Sequence, residues 1–203
     1  MIPRRRSTAG FTLIELLVVI AVLGILAALV MPNSQPSIHD QLRSAARIMA
    51  TDLSYARSLA LTNNSTYEVT FDPTENRYVI AHSGTNPGLD TLPNSPFRNP
   101  DDPADQHLAD FDELPHLGPT VQLVTAAAGD TPLAKVNDVE YGPLGETTRP
   151  KQTIVWLSAG RGAEMLFVTI VIDPVTGLPE VERPTQDGPP AELVEVVAVP
   201  VGP

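Results

Sequence analysis

The sequence predicts an α+β fold. A long N-terminal helix, apolar in its first half and amphipathic in its second, packs on an antiparallel β-sheet body. Three patterns carry this. Residues 11–32 open with a run in which Glu15 is the one charge. Residues 33–62 repeat apolar side chains at spacings of three and four. From residue 63 onward, short alternating runs are broken by Gly, Pro, Asn and Asp. A period of 3.6 marks one buried helix face, and a period of 2 marks one buried strand face. With 203 residues, the chain has room for one modest globular domain behind the first helix.

The first run, Phe11 to Met31, reads FTLIELLVVIAVLGILAALVM. At about 1.5 Å per residue it makes roughly 31 Å of helix, matching a bilayer core of about 30 Å. Arg4, Arg5 and Arg6 stand before it, so the positive-inside rule keeps that end cytoplasmic and exports the C-terminal body. Pro32 lacks a helical donor and clashes with the preceding turn, which predicts a kink; Pro36 follows and suggests a hinge. Glu15 is the exception within the run. A carboxylate deep in a membrane helix costs about 2.5–3.5 kcal/mol, so Glu15 reads as a charge kept for a partner. A cut between Gly10 and Phe11 would create an α-amine roughly 6 Å along the axis from Glu15. That amine on one copy would pair with Glu15 on the next.

These residues resemble a known family. Gly10-Phe11-Thr12-Leu13-Ile14-Glu15, with basic residues before and an unbroken apolar helix after, is similar to the processing site of type IV prepilins and type II secretion pseudopilins. The resemblance implies that an inner-membrane prepilin peptidase cuts after Gly10 and methylates the amine of Phe11. It implies that Glu15 aids assembly into a helical filament. Gly24 and Pro32 fall where the family has a Gly and a Pro. On this reading residues 1–10 are a leader, and the apolar helix survives processing. A secretory signal would be cut after its apolar region instead.

Ser37 to Thr62 reads as an amphipathic helix. Ile38, Leu42, Ala45, Ala46, Met49, Leu53, Ala56 and Ala60 form a narrow stripe of mostly small residues, and Asp40, Arg43, Arg47, Asp52 and Arg57 lie mainly off it. Small residues suit close approach to a sheet. A coiled-coil seam is the rival reading, although the repeat lasts only about three heptads. Asn63-Asn64 supplies a stop, because Asn tolerates the left-handed cap conformation.

Thr66–Asp72 and Arg77–His82 predict a hairpin around Pro73-Thr74-Glu75-Asn76, with a loop of about five residues. Residues 83–119 read as irregular, Pro-rich and acidic. Val121–Ala127, Val136–Tyr141, Gln152–Ser158, Glu164–Asp173 and Leu178–Glu182 read as strands. The pair 152–158 and 164–173 is expected to be a central antiparallel hairpin. Helix, hairpin, Tyr141-Gly142-Pro143-Leu144-Gly145 and the strands after it also resemble the H-type minor pseudopilins, more loosely than the leader does. The Pro-rich tail, 184–203, stays open between an edge strand and a free segment.

Composition and motifs exclude several functions. The net charge is −11; without the leader arginines, 10 basic residues face 24 acidic ones, a balance of −14. Such a body repels nucleic acid and anionic lipid. There is no cysteine, so neither disulfides nor thiolate metal sites can form. Asp101-Asp102-x-x-Asp105 offers oxygen ligands without the spacing of an EF-hand loop, and it reads as a solvated acidic loop. No metal or cofactor is expected. His39, His82, His107 and His116 sit in no HExxH arrangement, there is no GxSxG, and Gly160-Arg161-Gly162 is too short for a phosphate loop. No catalytic residue is expected.

The sequence therefore predicts a structural minor pseudopilin of a type II secretion pseudopilus. Its segments are a leader (1–10), a membrane and filament-core helix (11–32), an amphipathic helix (33–62), a periplasmic β domain (63–183) and a tail (184–203). Gly10 and Phe11 flank the cleaved bond, Phe11 is methylated, Glu15 directs assembly and Pro32 kinks the helix. The partners implied are the prepilin peptidase/methyltransferase, other pseudopilins or pilins, and the inner membrane. One alternative is a minor type IV pilin, of pilus assembly or DNA uptake. Another is a membrane-anchored binding protein that never polymerises.

Overall fold

The computed structural model describes residues 11–30, 37–93, 102–114 and 121–194. The chain divides into two compact units, residues 1–35 and 36–203. The leader, Pro32 and Pro36 lie outside the described residues. So do residues 94–101 and 115–120 of the acidic segment, and the tail beyond residue 194.

The first unit contains helix α1, Leu13–Val30, of 18 residues. Phe11 and Thr12 precede the helix instead of opening it. At about 1.5 Å per residue α1 is roughly 27 Å long, short of the 21-residue span read from the sequence. Among the described residues no helix is long and apolar enough to cross a membrane.

The second unit is built on helix α2, Ile38–Asn63. Ser37 caps its start: Ser37 Oγ accepts from Asp40 N at 3.2 Å and donates to Asp40 Oδ2 at 2.7 Å. Asn64 ends it with φ 47° and ψ 47°, the left-handed conformation its residue type tolerates. The predicted stripe is the buried face, with Leu42, Ala45, Ala46, Met49, Leu53, Ala56 and Ala60 all fully covered.

Two antiparallel sheets flank this helix where the sequence suggested one. The first has the order β3 (Gln106–Asp110), β2 (Arg77–His82), β1 (Tyr67–Asp72), β6 (Asp138–Tyr141). The second has the order β5 (Ala134–Val136), β4 (Val121–Ala128), β7 (Thr153–Ala159), β8 (Leu166–Ile172), β9 (Pro179–Val181). The hairpin β7–β8 is central, as predicted, and every residue of β7 is buried. Tyr67, Val69, Phe71, Tyr78 and Ile80 of the first sheet and Val155, Leu157, Val168 and Ile170 of the second share one core with α2.

Three departures from the sequence reading have identifiable causes. The run 136–141 is not one strand. It changes sheets at Asn137, whose carbonyl accepts from Phe71 N at 2.6 Å, so β5 pairs with β4 and β6 with β1. The segment 83–119 is not wholly irregular: it contains β3, a short 3-10 turn at Pro87–Leu89, and the buried side chains Leu92 and Phe111. The inward residues of β3 are His107 and Ala109, which give no apolar alternation to read. Asp52 and Arg57, off the apolar stripe as read, reach the first sheet and two turns. Asp52 Oδ2 accepts from Tyr78 Oη at 2.6 Å, and Arg57 Nε donates to the carbonyls of Gly145 and Thr176. The β1–β2 loop is also shorter than read, because Asp72 pairs with Arg77 and leaves four residues to turn.

Asn76 ties the two sheets together. At φ 51° its buried amide donates to Val121 O and Asp112 Oδ1, and its Oδ1 accepts from Leu123 N. Leaving those strand-end groups dry and unpaired would cost about 1–3 kcal/mol each. In the turn after β8, the backbone and hydroxyl donors of Thr176 hold the Asp173 carboxyl below its ordinary range.

Two buried tyrosines make opposite predictions. Burial first, and the Asp52 charge second, push the Tyr78 phenol well above its ordinary value. The folded state thus holds this proton more tightly than the unfolded state does. The resulting stability is whole below about pH 10 and declines as pH rises past it. Tyr78→Phe should cost about 1.5–3 kcal/mol at pH 7 through loss of a bond to a charged acceptor, and should flatten the alkaline decline. The Tyr141 hydroxyl is buried without a partner among the described residues, so Tyr141→Phe should change stability by under about 0.5 kcal/mol or raise it. Urea melts of both variants at pH 7 and pH 10.5 make the comparison. Gly177 has φ +66°, and a Cβ there would run into the Gly145 carbonyl oxygen. Gly177→Ala should therefore lose about 2 kcal/mol or more, read in the same melts.

Candidate assembly interface

In water, α1 is a problem that its own chain leaves unsolved. Every residue from Phe11 to Leu26 is exposed. Its large apolar side chains run from 47% exposed at Val19 to 83% at Leu13. Twelve such side chains at about 1.5–3 kcal/mol for full burial, discounted by half for partial cover, leave on the order of 10 kcal/mol or more unrealised. That is as large as the whole stability of a domain, about 5–15 kcal/mol.

Glu15 stands in the first turn of that helix. Its backbone N–H donates to Thr12 O at 3.1 Å and Thr12 Oγ1 at 3.3 Å, so Thr12 acts as the cap. Thr12-x-x-Glu15 has the spacing of a capping box, yet among the described residues the carboxylate makes no bond back to the Thr12 N–H. Gly24 is similarly unexplained from within, because a Cβ there would meet nothing within 4 Å. A glycine in an exposed helix interior costs about 1 kcal/mol relative to Ala.

Phe11 and Glu15 therefore lie on one exposed helical end, as the sequence placed them, while Gly10 and Pro32 lie outside the described residues. The family profile described as the prokaryotic N-terminal methylation motif matches residues 5–31. That match covers Arg5, Arg6, Gly10, Phe11 and Glu15. Two solved structures of the type IV minor pilin FimU from Pseudomonas aeruginosa are also similar to this chain. The first is 15% identical, covering 76% of this chain and 92% of that one at a TM-score of 0.41. The second is 18% identical, covering 71% and 98%, also at 0.41. No curated protein matches.

The acidic segment gives less. Asp101 lies outside the described residues, and among those described no group of three His, Asp or Glu side chains is placed to hold a metal ion. The apolar side chains exposed on the globular unit include Leu61, Leu144, Val175 and Leu178. They gather where α2 ends, since the Leu61 side chain reaches Gly145 and the turn at Gly177 abuts the same carbonyl.

One polar constellation escaped the sequence reading altogether. Ser65, His82 and Asp90 meet at the end of α2, with Ser65 Oγ 2.7 Å from His82 Nε2 and His82 Nδ1 2.8 Å from Asp90 Oδ1. Seventeen and eight residues separate these partners, and no local motif announces such a spacing.

Proposed function

We propose that the protein is a minor pseudopilin, a structural subunit of a type II secretion pseudopilus that assembles through its N-terminal helix. The observation that carries this reading is the uncovered apolar surface of α1, headed by a carboxylate with no partner among the described residues. A helix of this kind is stable in two settings. One is the inner membrane, where the subunit waits. The other is the core of a filament, where Leu13 to Met31 pack against equivalent helices.

In this reading the arginine-bearing end lies in the cytoplasm and the globular unit in the periplasm, as the positive-inside rule requires. The prepilin peptidase cuts between Gly10 and Phe11, where a residue without a side chain lets an enzyme approach the backbone. It then methylates the Phe11 amine. Pairing with that amine on a neighbouring copy offsets the burial of Glu15 and sets the axial step between subunits. Pro32 kinks the helix as it leaves the membrane, and Gly24 lets a neighbouring helix come close. The acidic balance of the body, −14 without the leader arginines, favours a protein-secretion filament over a DNA-uptake pilus.

Four experiments test this. Mass spectrometry of the native protein should find a chain beginning at methylated Phe11. Gly10→Val should abolish the shortened form, and a variant still processed would refute the cleavage assignment. Glu15→Ala should leave processing intact but lower incorporation by tenfold or more, measured as the subunit's share in sheared filaments. Incorporation at the wild-type level would remove Glu15 from its role. Complementation of a secretion-deficient and a pilus-deficient host by the same gene separates the two filament classes.

A further inference from the structure

The Ser65–His82–Asp90 constellation has the connectivity of an activated nucleophile. An ionised carboxylate only accepts hydrogen bonds, so the bond to Asp90 places the imidazole proton on Nδ1. Nε2 of the neutral ring is then the acceptor, and the Ser65 hydroxyl donates to it. Both distances lie within the roughly 2.6–3.2 Å expected of a nucleophile, its base and the group that orients the base. The imidazole is wholly shielded from solvent, while Asp90 remains half exposed. The Tyr67 ring meets the imidazole edge-on at 5.1 Å between centroids and fixes its plane.

Three elements hold the set in place. Ser65 follows the left-handed Asn64 that ends α2, and its N–H donates to Ala60 O, which fixes the turn. His82 is the last residue of β2, in register with Tyr67. Asp90 closes the Pro87–Leu89 turn, with its N–H on Pro87 O. Gly84 packs directly over the pair, and a Cβ there would overlap both Ser65 Oγ and His82 Nε2. Among the described residues the N–H groups of Thr66, next to the nucleophile, and of Gly84 have no acceptor.

We propose that Ser65 is a nucleophile that accepts acyl groups from small activated esters, with His82 as its base and Asp90 as the residue that positions that base. Ser65 Oγ attacks the ester carbonyl as its proton passes to His82 Nε2. The tetrahedral intermediate expels the alcohol, which takes that proton, and leaves an acyl ester on Ser65. Water, giving a proton to the same nitrogen, releases the carboxylic acid and restores the hydroxyl. Because Ser65 is only partly exposed, on a surface turn, the acyl group is short. The proposal uses the globular unit alone and is independent of the filament reading.

The chain's lack of cysteine gives a clean test. Full-length protein in detergent is treated with a fluorophosphonate, and the adduct is mapped by peptide mass spectrometry. Modification should fall on Ser65 and drop at least tenfold in His82→Gln. In parallel, Ser65→Cys places one thiol beside the imidazole, with Ser83→Cys as the exposed control. Iodoacetamide should alkylate the first at a pH at least one unit lower than the control, and that difference should vanish in the Ser65→Cys, His82→Gln double variant. Circular dichroism confirms that each variant folds. No adduct on Ser65, an adduct indifferent to His82, or matching alkylation profiles for the two thiols would each overturn the proposal.

Discussion

The globular unit depends on one narrow stripe of small side chains. Each of the two sheets has an apolar face that must leave water, and α2 is the element that covers both. Ala45, Ala46, Ala56 and Ala60 have no side-chain entropy to lose and no bulk to keep a strand away. Leu42, Met49 and Leu53 fill the remaining space. Residues that bind the sheets to each other, such as Asn76, or bind turns to the helix, such as Arg57, gain their geometry from this shared cover.

α1 obeys the opposite constraint. It has no stripe, because it is apolar on every side. A sequence that places so much apolar surface on one helix relies on an environment supplied from outside.

The corner where α2 ends collects most of the unexpected chemistry. Asn64 reverses the chain there, which brings Ser65 against the end of β2 and the turn before Asp90. The turns at Gly145 and Gly177 close on the same end of the helix, held by Arg57. Helix ends gather such groups because their last carbonyls and the following N–H groups need partners from elsewhere in the chain.

Local periodicity and turn chemistry wrote much of this protein into its sequence: α2 with its Ser37 and Asn64 caps, the β1–β2 hairpin and the central β7–β8 pair. The motif around Glu15 was equally legible, because its chemistry lies within one helical turn. The rest depended on contacts between distant residues. A strand whose inward residues are His107 and Ala109 shows no alternation until β2 lies beside it. Asn137 divides one apparent strand between two sheets only because β1 and β4 are already in place to receive the halves. Asp52, Arg57 and Ser65 look like ordinary polar surface until the fold places Tyr78, two turns and His82 within hydrogen-bond reach. Sequence determines what is set by neighbours a few residues apart; only tertiary structure decides what needs the chain to return to itself.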